Sequence, residues 1–434
     1  MAHAILTSVM PAVIMGGGVF FLFRLGFFFF RRPIKTLKLM FSGASPVLEL
    51  SLSLAGTLGV GNIVGVAMAI SLGGAGAVFW MWLSALVSAV LKYAEITLAV
   101  KYRRFTPHAI LGGPMYYMED GVGGRFGRAL AVTFASLCTM LSLVMGNLVQ
   151  SRAAVGAAER ILPVPAWAIG AMLAILCAFS LFGGYRVTSR VTSVIVPLMS
   201  GAYILISLGI IAAHAGSVPA ALKNIVTSAV DPSAAGGGAL GFLSSSALRH
   251  GVAKGAYSHE AGGGTAPLSH AQTKEKVPAV EGLLGLFEVF FDTGVICTLT
   301  ALVILLAGDE GSGAALVYGA FTHFCGAPGG AVVSVSIVFF AFSTMICWGY
   351  YGKTCLYYLT KSRAAETAYL AFYCAFAAVG ALVGEGVAWM LTDIGVCLMT
   401  SVNLVAVIIL SRTVREETEL AGLISPRKRR KSEE

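Results

Sequence analysis

Long apolar runs occupy almost the whole chain, and the polar residues gather in the short connections between them. A run of about 20 apolar residues is the length of a helix that crosses a bilayer. On that measure eleven spans are predicted, at 5–26, 48–71, 76–100, 128–156, 163–182, 190–213, 240–269, 281–307, 331–358, 365–383 and 386–411. The predicted class is an all-α polytopic membrane protein. No polar stretch between spans is long enough to hold a second, water-soluble core, so residues 1–434 read as one transmembrane domain that ends in a polar tail at 412–434.

Two spans depart from a uniform helical pattern. Residues 54–67 carry Gly56, Gly59, Gly61 and Gly65 with Asn62 among them, and residues 257–267 carry Gly262, Gly263 and Gly264 ahead of Pro267. Glycine weakens a helix by roughly 1 kcal/mol relative to alanine, so each cluster predicts an unwound stretch. At membrane depth such backbone survives only where it is buried in protein or lines a cavity. Corresponding breaks in two halves of a chain point to a transporter's midplane site. With span 5–26 set aside as peripheral, ten core spans remain at 48–411, and a break opens each group of five. That spacing predicts a 5+5 inverted repeat.

The broken ends have their own chemistry. N–H groups near Gly59–Asn62, at the positive end of a restarted helix, suit a carboxylate. Carbonyls near Ala55 and Leu58 suit an ammonium group or a hard cation, and Thr57 and Asn62 add side-chain oxygens. The competing reading is that these glycines only permit close helix packing.

Composition sharpens the class: 57% of residues are hydrophobic, 12% are charged, and the mean hydropathy is +0.83. Soluble chains carry about 25% charged residues. The net charge of +9 falls on alternate connections, at Arg31, Arg32, Lys35 and Lys38, then Lys101, Arg103, Arg104, Arg125 and Arg128. It continues at Arg186 and Arg190, Lys274 and Lys276, Lys361 and Arg363, and Arg427–Lys431. This alternation puts the N-terminus outside and the C-terminus in the cytoplasm of a plasma membrane of the bacterial inner type. The partner of the positive charge is then anionic lipid and not nucleic acid. The first apolar run reads as a retained span, because Arg24 and Arg31–Arg32 follow it where a cleavage site would stand. Eight cysteines, scattered singly, read as reduced thiols. Residues 115–118 read as an interfacial helix with tyrosine anchors, and residues 214–239 as an external loop.

The run Gly56-Thr57-x-Gly59-x-Gly61-Asn62-Ile63-x-Gly65-Val66-Ala67 resembles the sodium:alanine (or glycine) symporter family. So do Gly73–Trp82, Gly112–Tyr117, Glu260-Ala261-Gly262-x-Gly264-Thr265-Ala266-Pro267, Phe287–Thr293 and the stretch from Phe342 to Gly352. The resemblance implies a leucine-transporter-like core that takes up a small neutral amino acid, alanine or glycine, with Na⁺ as coupling ion and no organic cofactor. Carried over by position, Thr57, Gly59, Val60, Gly61, Asn62, Gln150, Gly262, Thr344 and Trp348 would meet the substrate. Ala55, Leu58, Ser343 and Thr344 would hold Na⁺. Three positions depart from the pattern: His259 stands in place of asparagine, Gly263 in place of a larger apolar residue, and Ser88 in place of glycine. The first two bear on selectivity and coupling, and the third reads as packing.

Among the ionisable residues, Glu95 and Lys92 read as a helix-surface or snorkelling pair near the cytoplasmic end of span three. His259 and Glu260 are gating or coupling candidates, weighed evenly against scaffold duty. They supply the alternative of H⁺ coupling. Glu288 and Asp292 read as structural acceptors facing span seven, and Trp80 and Trp82 as interfacial anchors or packing. An enzyme is not expected. A zinc protease needs His-Glu-x-x-His, and here position 263 is glycine and His270 lies eleven residues past His259. A channel is a weaker third reading.

Overall fold

The computed structural model describes residues 2–42, 47–107, 110–230, 245–380, 382 and 384–425. Among the described residues six helices are long and apolar enough to cross a membrane: Gly76–Lys101, Gly124–Ala158, Gly184–Ala213, Pro278–Ala307, Gly313–Thr360 and Gly386–Ile409. Shorter apolar helices include Val9–Arg24, Val64–Gly73 and Ala166–Phe182. The protein is therefore a multi-pass, predominantly helical membrane protein. Strand structure among the described residues is one small antiparallel pair, Arg104 opposite Leu111 and Phe105 opposite Ile110. It follows the cytoplasmic end predicted for Gly76–Lys101.

Small residues set how closely the helices approach. A Cβ at Gly18 would stand 2.4 Å from the Val87 carbonyl oxygen, so glycine lets the N-terminal helix Ala2–Arg24 lie on Gly76–Lys101. Gly76–Lys101 and the first part of Pro278–Ala307 also pack closely. A Cβ at Gly282 would meet Thr97 Oγ1 at 2.4 Å and the Tyr93 carbonyl at 2.8 Å. One at Gly285 would meet Lys92 Cγ at 3.2 Å. That proximity brings the charged side chains of the two helices together at the centre of the fold.

Both glycine-rich segments are broken, as their patterns predict. The first runs Val47–Thr57, a single 3₁₀ turn at Val60–Asn62, then Val64–Gly73. The second runs Ser246–His259, a non-helical link, then Ala266–His270. The start of its predicted span, 240–244, lies outside the described residues.

Several expectations need correction. Met115–Met118 is helical but wholly buried, so its tyrosines are core residues and not interfacial anchors; Tyr117 donates to Asn403 Oδ1. The predicted external loop holds a helix, Val218–Thr227, that seats Ile225 in the interior; its part from 231 to 239 lies outside the described residues. The predicted tail begins as a docked helix, Ser411–Leu420, tied down by Tyr93 to Thr418 at 2.8 Å and Lys101 to Glu417 at 2.7 Å. The basic run Arg427–Lys431 lies outside the described residues. Span nine is preceded by a further helix, because Gly326 turns left-handed (φ 62°) just ahead of Pro328 and kinks the Gly313–Thr360 element. All eight cysteines are free, and seven are buried; Cys325, beside that kink, is exposed. Trp80 and Trp82 point their indole N–H groups into protein, to the Ala229 carbonyl and Thr298 Oγ1, both at 2.8 Å.

If the Gly282 contact sets the central spacing, Gly282→Val overpacks it, at a cost of about 1–3 kcal/mol. The melting temperature of the detergent-purified protein should fall. Gly201→Ala, whose new Cβ meets nothing within 4 Å, should leave it unchanged or slightly raised. Equal melting temperatures for the two variants would contradict this packing.

Candidate functional site

At the first break the chain turns extended at Gly59 (φ −126°, ψ −162°). The freed Gly59 N–H donates to Asn62 Oδ1 at 3.0 Å, so the asparagine caps its own break. Its amide nitrogen reaches Asp292 Oδ1 at 2.5 Å, joining the break to Pro278–Ala307. Glycine is required here by close approach. A Cβ at Gly59 would stand 2.6 Å from Thr344 Oγ1, and one at Gly61 would stand 2.7 Å from the Tyr257 ring. Thr344 Oγ1 donates to the Ala55 carbonyl at 3.0 Å, bridging the first half-helix to Gly313–Thr360. Ser343 donates to the Phe340 carbonyl at 3.0 Å, which leaves its oxygen lone pairs for another partner.

The second break is held by three left-handed residues, Glu260 (φ 51°), Gly262 (φ 83°) and Gly264 (φ 80°). Glu95 Oε2 accepts the Gly264 N–H at 3.0 Å and Asn403 Nδ2 at 2.7 Å. Asn403 also donates to the Gly262 carbonyl at 2.9 Å. Glu260 accepts from Thr265 Oγ1 at 2.5 Å and from the Trp348 indole at 3.1 Å. His259 Nδ1 accepts the Ala261 N–H at 3.1 Å. In the neutral ring Nε2 then carries the proton, facing Ser84 Oγ and Ser88 Oγ at 3.3 Å each.

Gln150 connects the two breaks. Its Oε1 accepts the Val60 N–H at 3.4 Å, and its Nε2 donates to Tyr257 OH at 3.0 Å. A π-helical turn at Val144–Val149 directly precedes it, and a second at Phe290–Cys297 contains Asp292. Such bulges re-aim side chains out of a regular helix and recur at functional sites.

The structure thus gathers Ala55, Thr57, Leu58, Gly59, Val60, Asn62, Gln150 and Thr344 around the first break, all buried. Gly262, Glu260 and Trp348 belong to the second break. There a small cavity lies among Met145, Glu260, Gly263, Thr265, Trp348 and Met399. Gly263 has no positive φ, and a Cβ there would stand 3.0 Å from the Glu260 carbonyl oxygen and 3.8 Å from Met399 Cε, so a larger residue would crowd this space. A roomier apolar groove, lined by Phe29, Pro33, Trp82, Leu86 and Phe290, has none of these groups in its lining.

Two readings of charged and polar residues change. Lys92 and Glu95 are fully buried and do not pair on a helix surface. The helix continues to Lys101, nine residues on, which is about 13 Å at 1.5 Å per residue and beyond snorkelling reach. Ser88 is more than packing: its hydroxyl lies beside His259, so two departures from the family pattern touch one another. Glu288 and Asp292 do face the second broken segment, at His270 Nε2 (2.8 Å) and Ser258 Oγ (2.8 Å). His270 is committed to Glu288 and Glu281 and shares no partner with His259.

The sequence reading missed Tyr257, whose ring lies against Trp389 with centroids 4.7 Å apart. It also missed Lys254, buried beside Asp393 at 3.0 Å. A lysine in mid-span was the available signal for Lys92 and Lys254.

The sequence profile described as the sodium:alanine symporter family matches residues 1–427. The chain is 35% identical to the sodium/alanine symporter AgcS of Methanococcus maripaludis, over 94% of this chain and 93% of that one. It is 33% identical to the amino-acid carrier protein AlsT of Bacillus subtilis, over 92% and 86%. A manganese transporter of Eremococcus coleocola superposes with a TM-score of 0.51 at 14% identity, over 85% of this chain and 78% of that one. That likeness bears on fold alone. On the profile and these identities, the chain belongs to the sodium:alanine symporter family.

Proposed function

We propose that the protein couples Na⁺ entry to uptake of a small neutral amino acid, alanine or glycine, by alternating access. The scaffold in this reading is eleven spans: a peripheral first helix and a 5+5 inverted-repeat core, with the N-terminus outside and the C-terminus in the cytoplasm. The observation that carries it is the meeting of the first break with Gly313–Thr360, where the Ala55 carbonyl and Thr344 hydroxyl stand 3.0 Å apart. Both are buried, and hydroxyl and half-helix carbonyl oxygens are the donors a transported Na⁺ takes. The Leu58 carbonyl and Ser343 hydroxyl complete the proposed set.

The substrate carboxylate is assigned to the N–H groups of the first break. Val60 N–H reaches Gln150 at 3.4 Å, longer than the usual 2.7–3.2 Å, so this donor is weakly engaged and a carboxylate can displace Gln150 from it. Gln150 then remains at the site through Tyr257. Trp348, fixed by Glu260, and Gly263 bound the space left for the side chain. His259 supports sodium over proton coupling: a second proton on Nδ1 would set two N–H groups against each other at Ala261.

The direct test is labelled-alanine uptake into proteoliposomes under an inward Na⁺ gradient or an inward H⁺ gradient. Na⁺-driven uptake is expected. Uptake driven by H⁺ alone would overturn the coupling ion, and no gradient-driven uptake of any small amino acid would overturn the function. Thr344→Ala should raise the half-saturating Na⁺ concentration about tenfold, equivalent to about 1.4 kcal/mol, with Thr344→Ser restoring it. An unchanged Na⁺ dependence would remove Thr344 from the site. Gly263→Val should discriminate against larger side chains, raising KM for alanine relative to glycine about 10-fold or more. An unaltered ratio would place the side-chain pocket elsewhere.

A further inference from the structure

Lys92 is fully buried, and its ammonium meets three oxygens of different origin. It donates to Thr57 Oγ1 at 3.2 Å and to the His259 carbonyl at 3.1 Å, and it pairs with Glu288 Oε2 at 3.0 Å. Thr57 is the last residue of Val47–Thr57, and His259 is the last of Ser246–His259. The second broken segment therefore presents the C-terminal, negative carbonyl end of a half-helix to the ammonium, and the first presents the hydroxyl of its terminal residue. A hydroxyl, a half-helix carbonyl and a carboxylate would equally suit a free monovalent cation.

The charges behind Lys92 show why it cannot be exchanged for a neutral group without consequence. Glu288 Oε1 lies 2.8 Å from His270 Nε2, and Glu281 Oε1 lies 2.5 Å from His270 Nδ1. With a carboxylate on each ring nitrogen, His270 donates from both and is an imidazolium. Glu288 is then shared between Lys92 on Oε2 and His270 on Oε1. Deleting the ammonium leaves Glu288 Oε2 without its cation beside Thr57 Oγ1 and the His259 carbonyl.

We propose that Lys92 is a positioning residue that acts as a tethered cation. It fills a cation position shared by the two breaks, separate from the Ala55–Thr344 position, and ties both half-helix ends to one point. The mobile ion named in its test rests on the sodium-coupled reading; the ammonium's role does not.

The test is equilibrium binding of ²²Na⁺ to purified protein, which needs no transport. Lys92→Met should bind about one more Na⁺ per chain than the unsubstituted protein, and Lys92→Met with Glu288→Gln should lose the extra ion. A Lys92→Met protein that stays monodisperse and binds Na⁺ as the unsubstituted protein does would overturn the proposal. So would an extra ion that survives Glu288→Gln. Should Lys92→Met be fragile, its recovery in NaCl but not in choline chloride of equal ionic strength supports the proposal, and loss in both salts contradicts it. If the unsubstituted protein binds no Na⁺ but Lys92→Met gains it, the sodium-coupled reading fails while the tethered cation stands.

Discussion

Backbone N–H and C=O groups inside a bilayer have no water to bond, and each one left unpaired costs several kcal/mol. Two unwound segments create several such groups at once, and the rest of the structure is arranged around satisfying them. Asn62 closes the first break from within, and Glu95 with Asn403 closes the second from neighbouring helices. Gln150 spans the two, and Lys92 bonds the last residue of a half-helix from each, the Thr57 hydroxyl and the His259 carbonyl. Asn62, Glu95, Asn403, Gln150 and Lys92 thus serve the unwound backbone directly.

This arrangement links stability to transport. Removing one partner of a buried ion pair costs about 3–5 kcal/mol because the other charge is stranded. The Lys92, Glu288, His270 and Glu281 network therefore holds the two broken segments and the central helix pair firmly together. The Val60–Gln150 bond, at 3.4 Å, is by contrast loose enough to yield to a ligand. Firm anchoring at the helix ends and weak engagement at the proposed substrate position suit a carrier.

The breaks were legible because glycine clustering is a local signal, and the family motifs lie on those same residues. Their partners were less so. Gln150 and Asp292 face the breaks through π-helical turns, which no regular periodicity predicts. Lys92 was placed near an interface because it lies in the last third of its predicted span, and only tertiary packing through Gly282 and Gly285 shows it facing Glu288. The helices at Val218–Thr227 and Ser411–Leu420 were hidden for a related reason. Each is amphipathic and too short or too polar for a span criterion, so it read as loop or tail.

The most direct measurement is an experimental structure determined with alanine and Na⁺ present, at a resolution that shows the ion. The alanine carboxylate is expected on the Val60 N–H in place of Gln150 Oε1, with Na⁺ between the Ala55 carbonyl and Thr344 Oγ1. Alanine bound away from both breaks, or Na⁺ coordinated without either of those oxygens, would contradict this placement.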